Sequence, residues 1–588
     1  MTDYFEVHER DAAARLGELR LDEPVTTPAL ADPFLEDAGS LWAAEREFPE
    51  GDDSSLTVLP HRAFPAGTRE EVQESFRVDQ PETDFPAAAV VPSEDPVDVG
   101  ADAYVLSDAQ GFVGHGAGLK DAIVNAKAAL PADTALMLSG VATPANVATL
   151  VYAGVDLVDE AKARVKGAEG FYLNTDGEFF LEDLEELPCA CPACAKPRSE
   201  FTRADCQEHN VNALRAELRR VRERVRNGRL RDYIEGQARH DQWLTAAFRE
   251  FDQQWRYMEE RTPVVRNNEL TAATEDSLRR VEIQRFADRV TSRYENRFDA
   301  PLVLVPCSAT KPYSDSQSHR QFHDAIQWRG HVVSMTSPIG VVPQELETTY
   351  PAQHYDSVVT GEWSAEEIDF VAQVLQRYLE RNDYPRVVAH VPGDGYQEIC
   401  ERVAAEVDVP FEYTCESHPT TDASLANLAD ALEGEPAYSK RERQHNTVRA
   451  LADYQFGEGA GDALFADRIH VTGRYPKLQA WDGPAGDGSE QLATMVPTYG
   501  ILSLTLEGGR RWVDSDAPTK TVEIDGFVPH GSVLAPGVVD ADDDVRVGDE
   551  VVIQGPKAFG IGRAQMSGPE MAESTRGVAT KVRHVEET

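Results

Sequence analysis

Short aliphatic runs alternate with helix-period stretches in two separate parts of the chain. In the first part YVLS (104–107), TALMLSG (134–140) and GVDLVD (154–159) read as strands, and DAIVNAKAAL (121–130) and PANVATLVYAG (144–154) as helices. In the second, LVLVP (302–306), HVVSMTS (331–337), RVVAHVP (386–392) and FEYTC (411–415) read as strands. Between them AEEIDFVAQVLQRYLERN (365–382) repeats its apolar positions every three to four residues, as a helix does. Such alternation predicts mostly parallel sheets covered by helices.

The other segments are patterned differently. YFEVHE (4–9) and GELRLDEPV (17–25) alternate like a strand pair. Residues 33–100 are acidic, Pro-rich and weakly patterned, and are expected to be an irregular or shortened part of the first domain. Residues 208–300 read as one long helical region, 422–510 as mixed α+β, and 518–588, rich in Gly, Val and turns, as a small β-barrel or sandwich. No internal repeat is found.

Composition sets limits. The 588 residues are 41% hydrophobic, enough for real cores and for roughly three to five domains. No run of 18 or more apolar residues occurs, and the start, MTDYFEVHERD, is charged, so a cytoplasmic protein without a membrane span is expected. Acidic residues number 102 against 57 cations, a net charge of −45, and only 11 of the cations are Lys. Acid spread along the whole chain points to a high-salt cytoplasm rather than to an acidic tail. At about 1 M salt the Debye length is roughly 3 Å, so this charge does not exclude a nucleic-acid partner held by short-range Arg contacts.

LPCACPAC (187–194) places Cys189, Cys191 and Cys194 within six residues. Thiolates so close converge on one tetrahedral ion, and Zn²⁺ wants four such ligands. Cys206 and His209 are both candidates for the fourth, and spacing does not choose between them. The next stretch, VNALRAELRRVRERVRNGRLR (211–231), carries eight Arg and two Glu. Val211, Leu214, Leu218, Val221 and Val225 mark a buried face. Arg215, Arg219, Arg222 and Arg226 lie beside it, placed either for RNA phosphates or for internal acids such as Asp252, Glu259 and Glu260.

Residues 302–322, LVLVPCSATKPYSDSQSHRQF, hold the densest chemistry. A strand ends at Pro306-Cys307, where sites of parallel α/β sheets gather. A thiolate there is a strong nucleophile. Lys311 and His319 are placed to lower its pKa or to shuttle protons, and Tyr313, Ser316 and Ser318 to hold substrate. The competing reading is a small buried Cys followed by a turn at Pro312. His354, Asp356 and the VPGDGY loop (391–396) with Asp394 are further substrate-binding candidates, Asp394 for a substrate ammonium; Cys400 and Cys415 read as structural.

Family resemblances join these pieces. GVDLVDEAKAR, FYLNTDGEFFLEDLEELPCACPAC and HNVNALRAELRRVRE resemble the zinc-bearing half of archaeal tRNA-guanine transglycosylases, as does the start, FEVHERDAAARLGELRLDEPVTTPAL. The resemblance implies His209 of the His-Asn pair as fourth zinc ligand, with Cys206 in reserve. Asp159 matches the transglycosylase nucleophile, but the D-S-G-G-F-Q stretch that carries the second Asp is missing, which makes Asp159 a candidate relic. Residues 530–584, with GSV, APGV, GDEV, GRA and RG, resemble a PUA domain, which implies structured RNA as partner and Arg563 and Arg576 as RNA contacts.

P-C-x₃-K-P-Y-x₂-S-x₂-H at 306–319, with SPIGVVPQELETTYPAQHYD (337–356) and the stretch from DRIHVTGRYPKLQAW through QLATMVPTYGILSLTLEGGRRW, resembles the signature of the archaeosine synthase family. That implies addition of an amine, free lysine in one version, to the nitrile of cyano-deazaguanine in the tRNA D-arm, with a radical-SAM partner acting afterwards. The expected architecture is multidomain α/β and α+β. It comprises a degenerate TIM-barrel-like transglycosylase domain with zinc (1–299), an α/β catalytic domain (300–421), a small α+β domain (422–512) and a PUA barrel (513–588). An active transglycosylase and a non-catalytic tRNA scaffold are the alternatives. Sequence does not fix the amine donor or the oligomeric state, a homodimer being one expectation.

Overall fold

The computed structural model describes residues 4–65, 67–358, 362–466, 469–484 and 488–588. The chain divides into two compact units: Met1–Pro263 with Ser532–Val547 and Gln565–Thr580, and Val264–Gly531 with Gly548–Ala564 and Lys581–Thr588.

The first unit is built on a seven-stranded parallel sheet. Its order is Ala29–Leu30, Leu157–Val158, Ala135–Leu138, Ala103–Leu106, Ala87–Val91, Leu56–Val58 and Leu35–Asp37. The strands at the two ends of this order are neighbours in sequence. Leu30 and Leu35 can lie at most about 18 Å apart along the chain, whereas seven flat strands would span about 29 Å. The sheet therefore curls nearly into a barrel. Phe5, Val7 and Leu19 of the antiparallel strands Phe5–Asp11 and Ala14–Leu19 pack into the same core as Ala103, Met137 and Leu157.

Two expectations change here. Residues 33–100 are not irregular throughout, since they supply three barrel strands. Ala87-Ala88-Ala89 lacks the bulk that marks a strand, and the other two strands are three residues long. The long helical region is broken as well. The Arg-rich helix runs Arg203–Arg226, opened by a Thr202/Asp205 capping box. Separate helices follow at Leu230–Gln237, Gln242–Asp252 and Trp255–Arg261, then a strand at Leu270–Ala272 and a helix at Val281–Ser292.

The second unit holds a five-stranded sheet in the order Gly340–Pro343, His331–Thr336, Leu302–Pro306, Val387–Ala389 and Phe411–Tyr413. All neighbours are parallel except the first pair. Strand alternation feeds two cores. Val303 and Val305 pack with Phe322 and Ile326 of helix Gln317–Ile326 and with Leu428, and Leu302 and Leu304 with Phe286, Val371 and Ile399 on the other face. Successive connections from Leu302–Pro306 and from His331–Thr336 thus use opposite faces. The crevice beyond the carboxyl ends of Leu302–Pro306 and Val387–Ala389 is a topological switch point, where open α/β sheets bind ligands.

Beyond it come helix Lys440–Phe456, an antiparallel sheet of His470–Arg474, Lys477–Trp481, Gln491–Val496 and Ile501–Leu504, and helix Leu506–Val513. Strand Thr521–Ile524 pairs in parallel with Glu550–Gly555, which forms a hairpin with Ala558–Ala564.

Candidate active site and metal centre

The switch-point crevice holds Cys307. Its N–H donates to the Met335 carbonyl at 3.1 Å, which continues the strand ladder by one residue and fixes the side chain at the sheet edge. The thiol, half-buried, lies 3.3 Å from the Tyr396 hydroxyl. Tyr396 is the second residue of helix Gly395–Ala404, reached through the loop after Val387–Ala389. Trp363 packs edge-on against its ring at 4.6 Å. A Cβ at Gly395 would lie 3.0 Å from the Trp363 side chain, a tight contact that would push Trp363 back. Burial, and then the neighbouring thiol, push the Tyr396 phenol far above its ordinary value. Tyr396 was not singled out from sequence.

Lys311 places its ammonium 4.0 Å from the centroid of the Tyr355 ring. Burial lowers its pKa, and its neighbours Cys307, Asp356 and Glu269 work in the opposite direction. Strands Leu270–Ala272 and Tyr355–Ser357 pair in parallel with Thr271 opposite Asp356. Leu270 and Tyr355 face inward, which leaves Glu269 and Asp356 exposed. Among the described residues neither carboxylate, nor the Lys311 amine, has a hydrogen bond or ion pair. Glu269 is a second residue that sequence reasoning missed.

The other candidates support this edge from below or lie apart. The Tyr313 and Tyr355 hydroxyls are 2.7 Å apart, and Tyr355 reaches Thr336 Oγ1 at 2.6 Å, all buried. Ser316 caps helix Gln317–Ile326 by accepting from the His319 N–H, and Ser318 Oγ is 3.3 Å from Ser316 Oγ. His319 is 2% exposed. Its ring stacks on Tyr313, and Nε2–H donates to the carbonyl of Pro306 at 3.0 Å, directly before Cys307. Burial, then the nearby His323, depress its pKa to about 4. His354 packs against Tyr350, its buried Nδ1 without a hydrogen-bond partner among the described residues, and Asp394 is exposed at an N-cap position with no capping bond. Cys400 is buried.

In the first unit Cys189, Cys191, Cys194 and His209 converge, with ligand atoms all within 4.8 Å of one another. His209 Nδ1 lies 3.3 Å from Cys194 Sγ and 3.6 Å from Cys191 Sγ. Its Nε2–H donates to the Leu173 carbonyl at 3.0 Å, which leaves the Nδ1 lone pair for a metal. Tyr172 stacks on the imidazole at 3.7 Å and its hydroxyl reaches Cys194 Sγ at 3.4 Å. Cys206 points elsewhere, to the Phe171 carbonyl at 3.3 Å. Three thiols and an imidazole on this geometry fit a tetrahedral metal ion.

The Arg row beside that centre is partly engaged. Arg215 pairs with Glu160 at 3.5 Å, Arg226 with Glu223, and Arg222 donates to the Pro28 carbonyl at 2.6 Å; Arg219 is exposed. Asp252 and Glu259 pair instead with Arg231 and Arg546. Asp159 ends its barrel strand with the carboxylate held by Ser139 Oγ at 2.5 Å, the Gly140 N–H at 2.9 Å and the Ala161 N–H at 3.2 Å. Arg563 sits over the Tyr499 ring at 5.2 Å, and Arg576 is half-buried just before Gly577.

Comparison with known proteins matches the same segments. Queuine tRNA-ribosyltransferase matches residues 101–242, a domain of unknown function 283–432, the patch-forming domain C2 of tRNA-guanine transglycosylase 446–518, and the PUA domain 525–585. An archaeosine synthase of Haloferax volcanii is 69% identical over 588 residues, covering both chains completely. The chain belongs to the archaeosine synthase family. Archaeosine synthase subunit alpha of Methanosarcina acetivorans is 40% identical, again over both whole chains. A tRNA-guanine(15) transglycosylase of Methanothermobacter thermautotrophicus is 28% identical over 79% of this chain and 68% of its own. A solved structure of a protein of unknown function is 31% identical over 51% of this chain and 99% of its own, with a TM-score of 0.42. The chain is thus a tRNA-modifying transferase with a transglycosylase-related domain and a PUA domain, and the Cys307 crevice falls in the segment matched by a domain of unknown function. No helix among the described residues is long and apolar enough to cross a membrane.

Proposed function

We propose that this chain adds the amine of free lysine to the nitrile of cyano-deazaguanine in the D-arm of tRNA, forming an amidine, with residues 300–421 carrying the chemistry. The observation that carries the reading is the thiol of Cys307 at 3.3 Å from the Tyr396 hydroxyl at the mouth of a switch-point crevice.

A nitrile carbon is electrophilic, and its nitrogen needs a proton as charge develops there. The Cys307 sulfur attacks the carbon, and the thiol proton passes by way of Tyr396 to the nitrile nitrogen. This gives a thioimidate, C(=NH)–S. The incoming amine adds to the same carbon, the C–S bond breaks, and the departing sulfur regains a proton from the amine. The net change is addition of N–H across C≡N, with Cys307 regenerated. Splitting one hard addition into two displacements is the usual gain of covalent catalysis.

Lys311, Asp356 and Glu269 suit the donor. An α-amino acid presents a carboxylate beside an ammonium, and one unpaired ammonium beside two unpaired carboxylates is its complement. Tyr313, Ser316 and His319 act through position, by holding the Pro306 carbonyl and the start of the helix under Cys307. Cys189, Cys191, Cys194 and His209 would hold a structural Zn²⁺, four protein ligands leaving no open position. The Arg-rich helix and the PUA segment would hold tRNA. The amidine still carries the donor's carbon skeleton, which a radical-SAM partner would cleave.

The test is mass spectrometry of nucleosides from cyano-deazaguanine tRNA incubated with the protein and lysine at high salt, beside Cys307→Ala. A base heavier by one lysine, formed by the wild type only, supports the reading. No adduct with lysine, glutamine or ammonia, together with exchange of labelled guanine, would replace it by transglycosylation.

A further inference from the structure

Helix Gln317–Ile326 ends in an unusual turn. Gln327 and Trp328 both take the left-handed conformation, at φ +50° and +62°. For a bulky residue this is strained, and strain of this kind gathers where a side chain must be presented. Trp328 is 38% exposed. It is held in place, however: the Arg443 guanidinium lies 3.3 Å from its ring centroid, His323 stacks at 5.0 Å, and the Trp328 carbonyl accepts from the Tyr438 N–H at 2.9 Å. Arg443 Nε and His323 Nδ1 are buried and have no hydrogen-bond partner among the described residues.

Cations surround this turn. Arg320 is one helical turn before His323, Arg329 follows Trp328, and Lys440 and Arg441 precede Arg443 at the start of helix Lys440–Phe456. Among the described residues none of the five side chains has a hydrogen bond or ion pair. The acids in the same two stretches are Asp324 and Glu442, and Glu442 is committed to its capping box with Ser439. Acids outnumber cations almost two to one in this chain, so five cations without an ion pair among the described residues need a reason.

We infer that this turn and the start of helix Lys440–Phe456 form a phosphate-backbone grip for the tRNA, separate from the reaction crevice, with Arg320, Arg329, Lys440 and Arg441 on phosphates and Arg443 and Trp328 as its fixed floor. The inference rests on tRNA being the substrate. Unpaired Arg and Lys side chains match phosphates in charge, and a rigid Arg–Trp stack lowers the entropy cost of ordering them. Its position matters. The helix joins two parallel strands and so runs antiparallel to them, which puts Trp328 at the sheet edge opposite Cys307, about 15 Å away along a ten-residue helix. Contacts there hold the substrate without touching the reacting atoms.

The experiment compares full-length wild type with Arg320→Ser/Arg329→Ser/Lys440→Ser/Arg441→Ser, checked for an unchanged melting temperature. Measurements are tRNA Kd across a KCl series and kcat and KM for tRNA in adduct formation. We expect Kd and KM to rise about tenfold or more, kcat to stay within twofold, and the slope of log Kd against log salt to fall by about three, roughly 0.7–0.9 per phosphate contact. An unchanged Kd and slope would overturn this grip alone. A wild-type protein that does not bind tRNA would overturn it together with the proposed function. Trp328→Ala should weaken binding less than the fourfold variant and leave kcat unchanged; a loss confined to kcat would also count against the grip.

Discussion

The Cys307 sulfur and the Tyr396 hydroxyl meet at 3.3 Å although 89 residues separate them in the chain. They follow two adjacent parallel strands, Cys307 directly and Tyr396 at the start of the next helix, so the sheet, and not the local sequence, sets their distance. The thiol faces a phenol that burial keeps protonated, and it therefore has a proton carrier beside it.

This pairing predicts a trapped intermediate. With nitrile-bearing tRNA and no amine, the wild type should form a covalent protein–RNA band on a denaturing gel, which excess lysine discharges. Cys307→Ala should form none. Tyr396→Phe should lower kcat on the order of 100-fold, the usual scale for a lost acid–base group, while leaving KM for tRNA unchanged. If Tyr396→Phe retains full kcat, the phenol has no part in proton transfer.

The unpaired charges around Tyr355 predict donor selection. Asp356→Asn and Glu269→Gln should each raise KM for lysine about tenfold and leave KM for tRNA alone. Lys311→Met should erase the preference for lysine over cadaverine, which lacks the carboxylate. Steady-state kinetics with the two amines reads all three.

Metal content separates two neighbouring ligand candidates. Purified protein should carry one zinc ion per chain by mass spectrometry, lost on prolonged chelation with a fall in melting temperature. His209→Ala should lose it and Cys206→Ser should keep it, because only His209 turns its free nitrogen toward the three thiols.

Burial of His319 predicts a pH-dependent stability. Its folded pKa is about 4, against about 6.5 for the free imidazole. A lowered pKa means the unfolded chain binds the extra proton first, so the stabilisation is full above pH 6.5 and is lost as pH falls toward 4. The loss amounts to at most about 3 kcal/mol. The melting temperature of His319→Gln should start lower and fall less steeply across that window, a comparison that thermal scans at matched salt would make.

The sequence exposed some of this and hid the rest for physical reasons. Strand Leu302–Pro306 has Leu302 to Val305 buried on both faces and so reads as an unbroken aliphatic run. Ala87–Val91 escapes notice because alanines fill a narrow space and carry no strand signature. The metal thiols are legible because they lie within six residues, but the choice of His209 over Cys206 depends on which way two side chains leave one helix. Tyr396 and Glu269 could not be found by spacing, since each meets its partners only through sheet assembly. Asp159 matches a family position, yet three hydrogen-bond donors now occupy its carboxylate.

The curled sheet of the first unit also bears on ancestry. On the proposed function, a barrel whose Asp159 carboxylate is already held by three donors would be free to specialise in grasping RNA. The Cys307 thiol follows a strand of a different sheet, in the second unit. On that reading, one reaction would replace another without redesign of the older fold, through the addition of a second reactive edge.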